Sequence, residues 1–154
     1  MNAGKIREGV SRILNEKDCF AFFWEGFDGS DIDTVVYELE KRKVNYLIIS
    51  AEYYLEETLK YLERFKTIDI PSCWDFQDRI RSSSIDLLLI HGYATIGLYQ
   101  EVFETMMLHD INSRKGLLTK TVLATSGSFD SVICERLRKL INKNNTIVLN
   151  EFNY

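Results

Sequence analysis

The chain has 154 residues, of which 45% are hydrophobic and 27% are charged. This length and composition are typical of one globular domain with a hydrophobic core, and they argue against two full domains and against intrinsic disorder. The net charge of −4 gives nucleic acid no general attraction to the whole molecule. No apolar run approaches the roughly 20 residues of a membrane-spanning helix, and no signal-peptide pattern opens the sequence, so we expect no membrane partner and a cytoplasmic location.

Helical and strand-like hydrophobic periods alternate along the sequence. The predicted elements, in chain order, are a helix over 5–15, a strand over 19–24, a helix over 31–43, a strand over 45–50, helices over 51–65 and about 74–80, a strand over 85–91, a helix over 97–113, a strand over 120–125, a helix over 129–142 and a strand over 146–149. Residues 1–18 are predicted to form an N-terminal helix and residues 19–154 one domain. The pattern predicts an α/β fold, a three-layer sandwich with a five-stranded, mostly parallel sheet.

The segment after the first predicted strand is the first candidate site, because ligands of such sheets bind outside the carboxyl ends of the strands. A phosphate-binding loop at this place has the pattern G-x-x-x-x-G-K-[ST], often with a further glycine three residues after the first. Gly26 and Gly29 match the first glycine and the further one. Asp31, Ile32 and Asp33 replace the second glycine, the lysine and the hydroxyl residue.

These replacements argue against triphosphate binding in the usual manner. A phosphate loop presents backbone N–H groups and a helix N-terminus to the anion. The carboxylates of Asp28, Asp31 and Asp33 are expected to cap the helix, to use those donors themselves and to repel a triphosphate. The same carboxylates suit Mg²⁺ or Ca²⁺, but no further carboxylate is clearly placed to complete such a site, so a capped, solvated turn is the favoured interpretation.

The third and fourth predicted strands end in His91-Gly92 and at Ser126. In P-loop ATPases the third of these strands ends in acidic residues that hold magnesium and activate water. Asp86 lies at the opposite end of the strand and does not replace them. His91 is either a general base or metal ligand, or a histidine bonded to a neighbouring loop, which we favour. No G-x-S-x-G elbow surrounds Ser126, and widely spaced cysteines with two histidines predict no metal site.

The order of these segments resembles the nucleotide-binding core of the DnaC/DnaI/IstB-like AAA+ proteins, which are replicative helicase loaders and transposase helper ATPases. The resemblance extends from Cys19 to the C-terminus. It is carried by residues 40–50, 85–92, 99–103, 109–114, 120–126, 128–130 and 135–137. It implies a P-loop AAA+ fold without a separate lid domain, belonging to a family whose full members carry a further N-terminal domain.

The resemblance also implies that the nucleotide-handling positions are degenerate in this chain. The residues at the lysine position, the hydroxyl position, the acidic pair and the polar sensing position are Ile32, Asp33, His91, Gly92 and Ser126. The family's arginine finger would fall near Leu140, with Arg138 as a shifted substitute. Departure of all these positions together is typical of a pseudo-ATPase.

A cluster of basic residues is predicted to lie on the last helix, namely Arg136, Arg138, Lys139 and Lys143. These side chains are placed to contact DNA phosphates or an acidic partner. The alternative, which we favour, is a solvated helix face with cations near its C-terminus.

The sequence therefore predicts a non-catalytic AAA+-like protein, without a cofactor, that binds a protein partner: a related ATPase, a helicase, a recombination component or itself. One alternative is a small-ligand or divalent-metal sensor that uses a strand-end pocket around Asp31, Asp33, His91 and Ser126. A second alternative is an accessory subunit that binds DNA through the basic last helix.

Overall fold

A parallel β-sheet forms the centre of the molecule in the computed structural model, which describes residues 3–63 and 71–149. The five strands lie in the order β2-β3-β4-β1-β5, and every neighbouring pair is parallel. Their bounds are β1 Ala21–Glu25, β2 Tyr46–Ser50, β3 Leu87–His91, β4 Lys120–Ala124 and β5 Thr146–Val148. The predicted α/β fold class is confirmed.

In the described residues, six α-helices surround the sheet: α1 Ala3–Asn15, α2 Ile32–Lys41, α3 Ala51–Glu63, α4 Pro71–Ile80, α5 Gln100–Gly116 and α6 Glu135–Leu140. Pro71 begins α4, three residues before the predicted start, at a position where a missing N–H costs no hydrogen bond. Residues 64–65 of the predicted third helix and residues 150–154 of the predicted domain lie outside the described residues. No described helix is long and apolar enough to cross a membrane.

The sheet lies between two layers of helices, and a hydrophobic core fills the space on each of its faces. On one face, Ile6, Val10 and Ile13 of α1 are fully buried together with Phe22 and Trp24 of β1, and α2 completes this layer. The opposite core is formed by α3, α4, α5 and α6 against the other side of the same strands. The N-terminal helix therefore contributes to the main core of the fold.

The predicted last helix, residues 129–142, is wrong in its extent, because α6 covers only Glu135–Leu140. The chain ahead of α6 is held by side chains from elsewhere. Phe129 N–H donates to the Glu25 carboxylate at 2.8 Å, and the N–H groups of Ile133 and Cys134 donate to Glu104 at 2.8 and 2.6 Å. These donors are thereby bound outside any helical ladder, so the helix begins late.

Arg114, near the end of α5, is completely buried. Its guanidinium donates to the carbonyls of Ile80 (2.9 Å), Ile85 (3.0 Å) and Lys120 (2.9 Å) and to the Thr121 hydroxyl (3.0 Å). Burial lowers the pKa of Arg114. This side chain joins α5 to the end of α4 and to the beginning of β4.

Asp110, one turn earlier on α5, is also completely buried. It accepts hydrogen bonds from the Tyr54 hydroxyl and from Arg81 Nε, the latter at 3.1 Å. Burial, and then the charge of Asp110, raise the pKa of Tyr54 well above its usual range. The aspartate thus ties α5 to α3 and to the segment that follows α4.

Candidate functional site

The carboxyl ends of β1 and β4 form the crevice where this topology would bind a ligand. The chain leaves β1 toward β2 and leaves β4 toward β5, so the two connections run in opposite directions across the sheet. Ligands of open α/β sheets bind at such a switch point. The loop between β1 and α2 and the loop after β4 are therefore the segments to compare with a nucleotide site.

Main-chain hydrogen bonds join these two loops. Gly26 N–H donates to the Gly127 carbonyl at 3.2 Å, and Phe27 N–H donates to the Thr125 carbonyl at 2.9 Å. Thr125 N–H in turn donates to the carbonyl of Trp24 at 2.9 Å. The first two N–H groups of the β1–α2 loop therefore have acceptors within the protein.

The next N–H groups are bound by a capping box. Ser30 N–H donates to the Asp28 carboxylate at 3.0 Å, and Asp28 N–H donates to the Asp31 carboxylate at 2.9 Å. Asp31 N–H donates to the Asp28 carbonyl at 2.9 Å, and the Asp31 residue is only 5% exposed. The capping predicted for the three aspartates is met in part: Asp28 and Asp31 cap the 3-10 turn Gly29–Asp31 that precedes α2, whereas the N-terminus of α2 itself has no side-chain cap and Asp33 lies in its first turn.

The residues at the lysine and hydroxyl positions face different surroundings. Ile32 is partly buried and packs against the core between the sheet and the layer of α1 and α2. Asp33 lies in the first turn of α2 and is exposed. Neither side chain supplies the cation or the hydroxyl that a nucleotide–magnesium complex requires at these places.

His91 and Gly92 follow at the end of β3. The His91 ring packs against the Phe27 ring, with 6.3 Å between centroids, and Phe27 is buried and also contacts Trp24 at 5.9 Å. Burial lowers the pKa of His91. The β1–α2 loop therefore contacts His91 through the Phe27 ring, whereas the sequence predicted that His91 bonds to a neighbouring loop.

The four residues of the predicted sensor pocket all lie at the carboxyl edge of the sheet, but they have separate environments. Asp31 binds within its own loop, Asp33 and Ser126 are exposed, and His91 packs on Phe27. In the described part of the chain, no three histidine, cysteine, aspartate or glutamate side chains are grouped to hold a metal ion. A pocket of about 240 Å³ at this edge is instead lined by Glu25, Phe129, Asp130, Arg138 and Ile141.

All four basic residues of the predicted last helix are exposed, as a solvated cationic face requires. Arg136, Arg138 and Lys139 lie on α6, but Lys143 lies beyond its end, which corrects the predicted placement of Lys143 on the helix. Arg138 Nε donates to the Val132 carbonyl at 3.2 Å, and Lys139 pairs with Glu135 at 3.5 Å.

Sequence analysis missed Glu25 and Glu104, which position the chain after β4. Glu25 is the last residue of β1, and Glu104 lies on α5, where it also accepts hydrogen bonds from Tyr93 and from Gln100 at 2.7 Å. A signal for Glu104 exists: it lies four residues before Leu108 and seven before Ile111, which is the spacing of one buried helix face. A charged side chain on such a face needs hydrogen-bond partners.

No family model matches this sequence, and no curated protein matches it. Among solved structures, the chain is similar to domain III of the Thermotoga maritima replication initiation protein DnaA, with a TM-score of 0.69 and 14% identity over 97% of this chain and 62% of that chain. It is also similar to the replication initiator DnaA bound to AMPPCP and single-stranded DNA, with a TM-score of 0.67 and 16% identity over 97% of this chain and 45% of that chain.

A third similar structure, AMPPCP-bound DnaA from Aquifex aeolicus, gives a TM-score of 0.65 and 16% identity over 92% of this chain and 44% of that chain. The chain thus spans between 44% and 62% of the length of these three structures. The P-loop fold implied by the sequence resemblance is confirmed by these structures of DnaA. The chain has the α/β fold of the AAA+ domain of DnaA.

Proposed function

We propose that this chain is a non-catalytic protein of the AAA+ fold that binds a protein partner in DNA replication, an active ATPase or a helicase. The observation that carries the proposal is the closed loop between β1 and α2. Its N–H groups at Gly26, Phe27, Asp28 and Ser30 all donate to acceptors within the protein.

A phosphate group at this loop would have to displace those acceptors. The hydrogen bonds from Gly26 and Phe27 hold the loop to the chain after β4, so their release would open the crevice between β1 and β4. Release of the capping box would take the Asp28 N–H hydrogen bond from the buried Asp31 carboxylate and leave that carboxylate beside the phosphate. Both changes are unfavourable, because the loss of a hydrogen bond to a buried charge is costly and like charges repel.

The side chains lower the affinity further. The lysine of a phosphate loop neutralises the phosphates, whereas Ile32 packs against the core. The carboxylates of Asp28 and Asp33 add negative charge at an exposed surface. Neutral and acidic groups therefore stand where a triphosphate needs cations.

The replication setting rests on fold likeness to DnaA, which is a replication initiator in all three comparison structures. Fold alone does not fix function. A protein that keeps this fold while its loop is closed retains surfaces that can bind a partner. An ATPase or helicase of replication is the partner class that the likeness favours.

Titration with AMPPCP and magnesium tests the absence of a nucleotide site. We expect no heat of binding by calorimetry and no ATP hydrolysis above background. Aquifex aeolicus DnaA, which is AMPPCP-bound in its own structure, serves as the positive control in the same buffer. A dissociation constant below about 10 µM, or a turnover near 1 s⁻¹, would contradict the proposal.

Affinity purification from the native host, with chemical cross-linking before lysis, tests the partner class. We expect an ATPase or a helicase to be recovered in stoichiometric amount, cross-linked to this chain, and to remain bound after nucleotide is removed. Recovery of nucleic acid or of this chain alone, with no ATPase or helicase, would contradict the proposed partner.

A further inference from the structure

Strand β2 is an edge of the sheet that no described residue covers by strand pairing. Its inner side pairs with β3 without interruption, from Tyr46 opposite Leu87 to Ser50 opposite His91. The sequence Tyr-Leu-Ile-Ile-Ser contains no proline and no charge. Proteins usually protect an edge with such residues or with a bulge, and β2 has none of these devices.

The hydrogen-bonding groups on the outer side of β2 can be assigned from the pairing with β3. Leu87 N–H donates to the Asn45 carbonyl at 3.2 Å, so the main-chain groups of Asn45 face β3. Main-chain groups alternate in direction along a strand. The N–H and C=O groups of Tyr46, Ile48 and Ser50 therefore point away from the sheet.

Charges of opposite sign flank the two ends of this edge. Lys41 and Lys43 are exposed just before the strand, and Glu52 and Glu56 are exposed in α3 just after it. A second β2 strand added in parallel would place lysines beside lysines. One added in antiparallel orientation places the lysines of each copy beside the glutamates of the other.

We propose that two copies of this chain pair antiparallel through β2, around a two-fold axis at Ile48, and so form one continuous sheet. In this register Ile48 exchanges hydrogen bonds with its own counterpart, and Tyr46 does so with Ser50 of the other copy. The half-buried side chains of Tyr46, Ile48 and Ile49 lose further exposure to water. The interface is isologous, as two-fold symmetry requires.

This pairing goes beyond the proposed function and uses a different part of the molecule. The proposed function concerns the crevice between β1 and β4, whereas β2 is the outermost strand on the far side of β3. The two proposals can fail independently. Nucleotide titration does not test pairing at the β2 edge, and measurement of self-association does not test nucleotide binding at the β1–α2 loop.

Sedimentation equilibrium of the full chain tests the pairing. We expect a reversible monomer–dimer equilibrium in the wild type. Ile48→Pro removes the central outward N–H while leaving the β2–β3 ladder intact, since that ladder does not use it. Ile48→Ala removes the same side-chain packing but keeps the N–H, so it is the matched control. We expect the proline variant to be monomeric and the alanine variant to dimerise.

A charge exchange tests the orientation independently of folding. Lys43→Glu and Glu52→Lys should each raise the dissociation constant of the dimer, by roughly tenfold, because each places like charges together at both ends of the interface. The double variant should return to within about threefold of the wild type, since it restores both contacts. Thermal unfolding at low protein concentration monitors the fold of every variant.

Three results would overturn the pairing. The first is a wild-type chain that stays monomeric up to about 200 µM, a concentration at which even weak homodimers associate. The second is a dimer that persists in the Ile48→Pro variant. The third is a double variant that associates no more tightly than either single variant.

Discussion

The β1–α2 loop and helix α5 both bury charged side chains, but they bind partners at very different distances along the chain. In the loop, Asp31 binds the N–H of Asp28, three residues away. On α5, Glu104 binds Ile133 and Arg114 binds Ile80, both about thirty residues away or more. The loop charge stabilises one turn, whereas the α5 charges hold separate elements of the sandwich together.

The buried charges of α5 therefore contribute to the stability of the whole fold, whereas the carboxylates of the β1–α2 loop bear on nucleotide binding. Substitution on α5 should weaken the whole fold, because each buried group there satisfies several partners. Substitution of Asp31 in the loop should have a smaller effect, because its capping hydrogen bond stabilises one turn. Four changes, taken from the largest expected effect to the smallest, test this distinction.

Arg114→Met should lower the free energy of unfolding by about 3 to 5 kcal/mol, because it leaves buried carbonyls without a donor. Urea denaturation measures the change. Lys115→Met, at the exposed neighbouring position, is the matched control and should stay within about 0.5 kcal/mol of the wild type. A loss below about 1 kcal/mol for Arg114→Met would mean that the hydrogen bonds of this side chain contribute little.

Glu104→Gln should lower the free energy of unfolding by about 2 to 3 kcal/mol, because an amide accepts less strongly than a carboxylate from the N–H groups of Ile133 and Cys134. Hydrogen exchange should become faster over residues 129–134. The control is Glu101→Gln, at an exposed position of the same helix. Unchanged exchange in that segment would show that α6 begins late for another reason.

Asp31→Ala should lower the free energy of unfolding by about 1 kcal/mol, the usual effect of losing a cap. Asp33→Ala, on the exposed first turn of α2, is the control and should change it less. Thermal denaturation of the two variants measures the difference. An effect of Asp31→Ala as large as that of Arg114→Met would remove the contrast between the loop and α5.

His91→Gln should make stability less dependent on pH in the window just below the usual histidine pKa of 6.5. Burial lowers the pKa of His91 below its usual value of 6.5, so the unfolded chain takes up the proton first as the pH falls. The wild type therefore loses stability on acidification through this window, and the variant loses less. Urea titrations across the window measure the slope.

Local patterns in the sequence predict much of the fold and part of the site. The apolar run that ends in His91 predicts β3, and the aspartates after β1 predict the capped turn, because strands and caps depend on neighbours within a few residues. The strand–helix alternation predicts that the loop after β1 and the loop after β4 meet at the crevice. It does not predict the hydrogen bonds between them, because Gly26 and Gly127 lie far apart along the chain.

The last helix illustrates where prediction from periodicity fails. Residues 129–142 have a helical apolar pattern, yet the segment before Glu135 donates its N–H groups to Glu25 and Glu104. The apolar pattern favours a helix here, but the folded chain brings two carboxylates close to the N–H groups that the helix would use, and those groups donate to the carboxylates. Lys143 falls beyond the end of the shorter helix, whereas Arg136, Arg138 and Lys139 remain on it.

The sequence by itself determined that this protein alternates strands with helices and that its loop after β1 carries carboxylates where a phosphate loop carries a lysine and a hydroxyl residue. The tertiary structure decided the strand order, the burial of Arg114 and the closure of the loop against the chain after β4. The reason is physical: residue type and spacing act over a few residues, whereas a buried donor takes whichever acceptor the fold brings within about 3 Å.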